Sequence, residues 1–350
     1  MIRYFLIGVL FPLLIQFIMY YRFTPNYQPG IYSESGFRSF YESSVFKYRI
    51  AGKTLDLWIY HKLKSSESFR NFKENKIYEK RLLALDPEAD SLFYLTYYII
   101  NGFFSVLLSL GLLYLYDRPG LYTMSESEKI FSTVLLILVV AITQFVITPY
   151  DVAAYSSEVF SFTTFLIYLR TNKWKYLLFT CILIGIATLI RESSALILSL
   201  MGAVYLALFG FSFSWVKKMI FPCLSFIITY IGLRWYVNSA SVQISENNKL
   251  VENLTFRPSA LMGIGMAVII FYLIRKAAEG MNKKLLYHFL LLSVPYVVMV
   301  IFAGLLVELR LWLPIIVGAC VLYKINLQKL GYNKQFSDLS AHHTTDPQPH

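Results

Sequence analysis

Two adjacent charged residues, Arg191 and Glu192, stand between two apolar runs, 176–190 and 193–210, that contain no charged side chain. An arginine binds phosphate through paired hydrogen bonds, and a carboxylate accepts a proton from a hydroxyl group. A charge costs about 3 kcal/mol or more at the centre of a bilayer, so we expect this pair at the membrane interface or in a wet cavity. Both residues are therefore candidates for substrate binding.

Charged residues of the same two kinds stand beside other apolar runs. Tyr150 and Asp151 occupy a short connection, and Glu308 and Arg310 precede the apolar run 311–326. Residues two apart do not face each other on a helix, so we do not expect local pairing of Glu308 with Arg310. Asp151 is a candidate base, and the predicted substrate-binding residues at run ends are Tyr150, Arg191, Glu192, Glu308 and Arg310.

The long polar segment 22–90 supplies the remaining candidates. Glu34 and Glu42 are acids suited to accepting a proton, and Arg49 lies in the mixed apolar and basic stretch 45–63. That pattern predicts an amphipathic helix along a membrane surface, whose basic residues Lys47, Arg49 and Lys53 meet a charged headgroup. A second polar helix is predicted over 65–90, ending at Asp86-Pro87.

Composition sets the class of protein. Of the 350 residues, 57% are hydrophobic and only 15% are charged, whereas soluble domains are about a quarter charged. The chain is therefore predicted to be a polytopic membrane protein. The net charge of +11 is attributed to membrane topology and not to nucleic-acid binding. No phosphate-binding glycine loop, dinucleotide fingerprint or Cys/His metal motif occurs, so no cofactor or metal is predicted.

The predicted fold is an all-α bundle of about ten transmembrane helices, since about 20 apolar residues cross a bilayer. One transmembrane domain covers 1–326, with 22–90 as a long extracytoplasmic loop, and 327–350 is predicted to be a disordered cytoplasmic tail. The predicted spans are 4–21, 91–116, 130–148, 152–169, 176–190, 193–210, 219–237, 259–274, 285–303 and 311–326.

Basic residues in the short connections predict the orientation, because they accumulate on the cytoplasmic side. If both termini are cytoplasmic, fifteen Lys and Arg residues lie on the cytoplasmic side: Arg3, Arg118, Lys129, Arg170, Lys173, Lys175, Lys217, Lys218, Arg275, Lys276, Lys283, Lys284, Lys324, Lys329 and Lys334. The four in short outside connections are Arg191, Lys249, Arg257 and Arg310. This topology brings all the candidate residues to the extracytoplasmic face.

Each group of residues also has a simpler explanation. Arg191-Glu192 alone is more often an interfacial salt bridge, and Tyr150-Asp151 equally suits a turn or helix N-cap. The basic stretch 45–63 equally suits binding of anionic lipid. The shared location of these groups favours a polar site for a charged or hydroxyl-rich ligand.

Three motifs carry a family resemblance, together with the long loop after the first span. Thr148-Pro149-Tyr150-Asp151, Leu189-Ile190-Arg191-Glu192-Ser193-Ser194 and Val307-Glu308-Leu309-Arg310 resemble motifs of small bacterial membrane proteins related to the GT-C glycosyltransferases. The resemblance spans roughly 1–326. It implies a protein of the bacterial cytoplasmic membrane that transfers sugar from a polyprenyl-phosphate donor to a glycan or lipid acceptor on the outer face.

The resemblance also implies residue roles. GT-C enzymes carry their base early in the first outer loop, often as Asp, but here no Asp precedes Asp56. Glu42 or Glu34 is therefore the expected base, with Asp151 as the rival. Arg191 and Arg310 are expected to neutralise the leaving phosphate, while Glu192 and Glu308 orient them or hold sugar hydroxyls. Membrane lipids, lipid-linked sugar and the acceptor are the expected partners.

Two other functions stay open. A polysaccharide polymerase, ligase or export partner needs the same arginines without an acidic base in the first loop. A small-solute transporter is the second alternative. Transporters tend to show internal repeats and helices broken near the midplane, whereas the charges singled out here stand at helix ends and no repeat is evident.

Overall fold

The computed structural model is helical throughout most of the residues that it describes. These are 2–23, 30–43, 45–70, 82–84, 87–143, 148–211, 213–237, 250–254, 258–306 and 308–330. The helices are α1 (Ile2–Arg22), α2 (Glu34–Ser43), α3 (Ile50–Ser65), α4 (Ser91–Tyr116), α5 (Glu126–Ile142), α6 (Asp151–Thr171), α7 (Trp174–Ile190), α8 (Ala195–Phe209), α9 (Phe213–Val237), α10 (Pro258–Ala277), α11 (Met281–Leu292), α12 (Val294–Ala303) and α13 (Leu309–Leu322). Shorter helical turns cover Val45–Tyr48, Glu67–Arg70, Glu192–Ser194 and Leu250–Leu254.

Several helices are long and apolar enough to cross a membrane. Among the described residues there are five, or six when α11 and α12, which meet at 47°, form one broken span. Helices cover most of the described residues of the ten predicted spans, but ten spans are not confirmed. The 17 residues of α7 and the 14 of α13 fall short of the length that crosses a bilayer alone. The chain is a helical membrane protein, and its orientation stays a prediction.

Helix α6 lies at the centre of the bundle. It packs against α4, α7, α8 and α13, and 72% of the residues in its most apolar 18-residue stretch are buried. Asp151 occupies the first turn, where a carboxylate is favoured by the positive end of the helix dipole. The helix ends at Asn172, which adopts the left-handed conformation at φ 52°. Side chains on the first turn of α6 are therefore held on a rigid, buried element.

The segment between α1 and α4 folds onto the bundle. The helix predicted for 45–63 is not continuous: it is a helical turn and α3, separated by Arg49. Trp58 on α3 is 58% exposed. Gly52 lets α3 approach the bundle, because a Cβ there would lie 3.0 Å from that of Tyr150. Of the second predicted helix, Glu67–Arg70 and residues 82–84 are helical, while 71–81 and 85–86, and with them Asp86, lie outside the described residues.

A cluster of buried aromatic side chains joins this segment to the helices. We call it the aromatic cluster: Tyr20, Tyr32, Phe37, Tyr41, Tyr60, Phe93, Tyr94, Tyr97 and Tyr150. Hydrogen bonds fix it, for example from the Tyr94 hydroxyl to the Tyr20 carbonyl at 2.7 Å. Such amphipathic rings bury a large apolar area, and the hydroxyls of Tyr20, Tyr94 and Tyr97 keep polar partners. The segment between α1 and α4 is thereby packed against the helices of the bundle.

The chain beyond α13 also packs against the bundle. Ile325 forms an isolated bridge with Tyr122, and Leu327 and Leu330 are buried. The predicted tail therefore begins with packed residues, and its remainder, 331–350, lies outside the described residues.

Asp56 on α3 is a carboxyl group buried against α4. Its Oδ1 accepts a hydrogen bond from Thr96 Oγ1 at 2.8 Å, while its Oδ2 has no hydrogen-bond partner in the described structure. Burial raises the pKa of Asp56 to about 8. The folded protein therefore holds this carboxyl in its neutral form at neutral pH.

We predict that Asp56→Asn removes a pH-dependent loss of stability. The pKa of Asp56 is about 8 in the folded protein and near 4 in the unfolded chain. Below pH 4 both states hold the proton. Between pH 4 and 8 the unfolded chain releases its proton while the folded protein keeps it, so the free energy of unfolding falls as pH rises. Asn keeps an acceptor for Thr96 and does not titrate. Thermal unfolding in detergent should show the stability of the variant gaining on that of the wild type between pH 4 and 8. Parallel curves across that range would contradict this assignment.

Candidate functional site

Asp151 is the centre of a buried set of charges. Its side chain is 1% exposed, and its Oδ1 accepts a hydrogen bond from Arg191 Nη1 at 2.8 Å. Arg310 Nη1 lies 3.6 Å from the other carboxylate oxygen, Oδ2. A carboxylate removed from water costs several kcal/mol unless it is paired, so both arginines stabilise the charge of Asp151.

Arg191 reaches Asp151 because the chain is interrupted between α7 and α8. Its backbone is extended (φ −160°, ψ 141°), and a single turn at Glu192–Ser194 restarts the helix. The side chain points inward, where Nη1 also donates to the Tyr155 hydroxyl at 3.3 Å. Both side-chain hydrogen bonds that Arg191 donates in the described structure start from Nη1, so Nε and Nη2 remain as donors toward a ligand.

Glu308 and Arg310 form a local ion pair, contrary to the sequence-based expectation. Arg310 Nε lies 3.0 Å from Glu308 Oε2. The expectation is wrong because Glu308 is not on the helix: it is the N-cap of α13 with an extended backbone (φ −78°, ψ 97°). Its side chain can therefore turn toward that of Arg310.

Arg49 connects the segment before α4 to the same charges. Its Nε lies 3.1 Å from Glu192 Oε2. The guanidinium also lies over the rings of Phe46 and Tyr150, at 4.8 and 4.5 Å from their centroids. Cation–π contacts of this kind add to the ion pair when both groups are desolvated.

We call these residues the ion network: Arg49, Asp151, Arg191, Glu192, Glu308 and Arg310. It contains three cations and three anions. Balanced charge lets the network exist in a dry environment without a bound ion. All six were predicted as site residues, and the structure brings them together, while their role toward a substrate stays a prediction.

Several buried polar atoms beside the network lack a hydrogen-bond partner in the described structure. They are Thr148 Oγ1, the Tyr150 hydroxyl, Asp151 Oδ2 and the Tyr41 hydroxyl. The ring centroids of Tyr41 and Tyr150 lie 6.2 Å apart, and Arg49 lies over the Tyr150 ring, so the two tyrosines border one region beside the network. Buried polar groups are nearly always paired, and exceptions mark places where water or a ligand binds. This region offers hydroxyl groups and one carboxylate oxygen to such a ligand.

The two predicted bases in the first loop lie on the surface. Glu34 pairs with Arg38 at 2.8 Å and with His61 at 3.3 Å. Glu42 pairs with Lys53 at 3.3 Å, and its side chain is 66% exposed. Neither contacts the ion network within the described residues, so their role as a base stays a prediction.

Glu158 is a buried acid that the sequence reasoning missed. It is 4% exposed, seven residues after Asp151 on α6, and its Oε1 has no hydrogen-bond partner in the described structure. Gly318 on α13 leaves room for it, since a Cβ there would lie 3.2 Å from Oε1. A lone acid two turns inside an apolar span was the signal that could have identified it.

Comparison of the chain with protein-family models, with curated proteins and with solved structures finds no match.

The Asp151–Arg191 pair should show strong energetic coupling. We predict that Asp151→Ala or Arg191→Ala each lowers the free energy of unfolding by about 3–5 kcal/mol. The first change removes the carboxylate that pairs with the buried guanidinium of Arg191, and the second leaves Asp151 with Arg310 alone, 3.6 Å away. The double variant should lose about 1–3 kcal/mol less than the sum. Unfolding in mixed detergent–SDS micelles measures these values.

The Glu34–Arg38 pair provides the matched control, because its side chains are 29% and 43% exposed and a solvent-accessible pair contributes at most about 1 kcal/mol. Its single and double variants should be nearly additive. Additive losses at Asp151 and Arg191 as well would show that the two charges do not depend on each other.

Proposed function

We propose that this protein is a glycosyltransferase of the bacterial cytoplasmic membrane. It transfers a sugar from a polyprenyl-phosphate donor to a hydroxyl group of a glycan or lipid acceptor on the extracytoplasmic face. The proposal rests on the region where unpartnered hydroxyls and a carboxylate oxygen adjoin three arginines. The hydroxyl groups of a sugar would hydrogen-bond to the unpartnered hydroxyls and the carboxylate oxygen. The phosphate of a lipid would bind the arginines.

Asp151 is the base that the geometry favours. Its Oδ2 accepts no hydrogen bond in the described structure, so this atom is available for a proton. The acceptor oxygen attacks the anomeric carbon of the donor and passes its proton to the carboxylate. The bond between the anomeric carbon and the phosphate oxygen breaks, and the lipid phosphate leaves with the negative charge.

The arginines act on the leaving group. Arg191 retains two donor nitrogens, Nε and Nη2, and Arg310 lies on the opposite side of Asp151. Fixed cations stabilise a developing negative charge most effectively where water is excluded, and both side chains are less than a tenth exposed. Glu192 and Glu308 hold Arg49 and Arg310 in place.

Arg191→Lys tests phosphate recognition. Lysine keeps the charge but loses the planar fork that grips phosphate. We predict that the variant binds polyprenyl phosphate at least tenfold more weakly than the wild type in native mass spectrometry, while the phosphate-free polyprenol binds equally to both. Arg38→Lys is the matched control, since Arg38 pairs on the surface with Glu34, and should bind like the wild type.

The outcome separates the rival functions. Equal binding of polyprenyl phosphate by Arg191→Lys and wild type would contradict phosphate recognition and leave Arg191 as a structural ion-pair residue. Glycan-forming activity that survives in Asp151→Asn would favour the polymerase, ligase or export partner, which needs no such base.

Two observations favour a small-solute transporter as the second candidate. Glu158 places an unpaired carboxyl inside a span, and α11 and α12 meet at a 47° break at Ser293. Intramembrane acids and interrupted helices are features of ion-coupled transporters. If the protein is a transporter, Glu158→Gln should abolish transport of its solute in cells, whereas Asp151→Asn should not.

A further inference from the structure

A cavity of about 480 Å³ lies between α10, α11 and α13, away from the ion network. Its walls are almost entirely apolar, with Ile264 and Phe271 from α10 and Trp312 from α13. Val268 and Tyr272, also in its lining, are 60% and 51% exposed, so the cavity is a groove open to the surroundings of the bundle. In a membrane protein those surroundings are lipid.

The groove has the length of one lipid tail. Along α10 it extends from Ile264 to Arg275, and eleven residues of helix rise about 16 Å at 1.5 Å each. Half of a hydrocarbon core of about 30 Å is about 15 Å. The groove therefore matches the depth of a single leaflet.

Arg275 supplies the charge in the lining. Its guanidinium lies 5.1 Å from the ring centroid of Tyr287, which also lines the groove. Its buried Nε has no hydrogen-bond partner in the described structure, and no acid in that part of the chain pairs with it. A cation at the end of an apolar groove fits a ligand with an anionic head and an apolar tail.

The turn between α10 and α11 adds to this charge. Lys276, Lys283 and Lys284 surround it, and Glu279, the acid of that turn, bonds to Lys324 at 3.0 Å. Basic pockets at the membrane surface bind anionic headgroups, with about 1 kcal/mol for each basic residue. The local excess of positive charge therefore favours an anionic over a zwitterionic lipid.

We propose that this groove is a binding site for an anionic phospholipid. One acyl chain lies between α10, α11 and α13, and the headgroup phosphate contacts Arg275. The site shares no residue with the ion network, so it does not depend on the proposed enzymatic function.

Native mass spectrometry of the full-length protein tests the site with two lipids that have the same tails, dioleoyl phosphatidylglycerol and dioleoyl phosphatidylcholine. We expect tighter binding of the phosphatidylglycerol. Arg275→Gln should weaken it about fivefold, the change that corresponds to the loss of one basic contact. Lys173→Gln removes the same charge from the turn between α6 and α7, outside the groove lining, and should bind phosphatidylglycerol like the wild type.

Ala267→Phe tests the tail site separately, because Ala267 lines the groove and a larger side chain fills it. It should weaken binding of both lipids while thermal unfolding confirms that the variant folds. Equal binding of the two lipids by the wild type would overturn the proposal. So would equal losses in Arg275→Gln and Lys173→Gln, or a dimer that forms in place of lipid adducts.

Discussion

The structure depends on the buried ion pair between Asp151 and Arg191. The carboxylate is 1% exposed and the guanidinium 4%, so each buried charge depends on its ion pairs. Asp151 is fixed by the first turn of α6, and Arg191 by the break between α7 and α8. At this break the backbone of Arg191 is extended, and its side chain hydrogen-bonds to Asp151.

The rest of the ion network attaches two more parts of the chain to this pair. Arg310, at the start of α13, adds a second cation to Asp151, while Glu308 balances Arg310. Arg49 pairs with Glu192 and stacks on Tyr150, and so fixes the segment before α4 over the ends of the helices. Residues far apart in the chain are thereby assembled at one place, beside buried polar atoms that have no hydrogen-bond partner in the described structure.

Much of this arrangement was predictable from the sequence, because charges between apolar runs must lie at helix ends and find partners. The helical fold and the candidates of the network followed from that rule. Glu308 pairs with Arg310 only because Glu308 precedes its helix, and helix boundaries are set by packing that periodicity does not reveal. The burial of Asp56 and Glu158 depends on Thr96 and Gly318, which are distant in sequence. The number of spans stays a prediction, since hydropathy measures composition and not helix length.

The central claim is that the ion network holds the segment before α4 against the bundle. Hydrogen exchange of Glu192→Gln tests it directly, because this change removes the partner of Arg49 and leaves the Asp151–Arg191 pair intact. We predict faster exchange in α3 while α6 keeps its protection, and no change in the matched variant Glu42→Gln, which breaks only the surface pair with Lys53. Unchanged protection of α3 in Glu192→Gln would contradict the account.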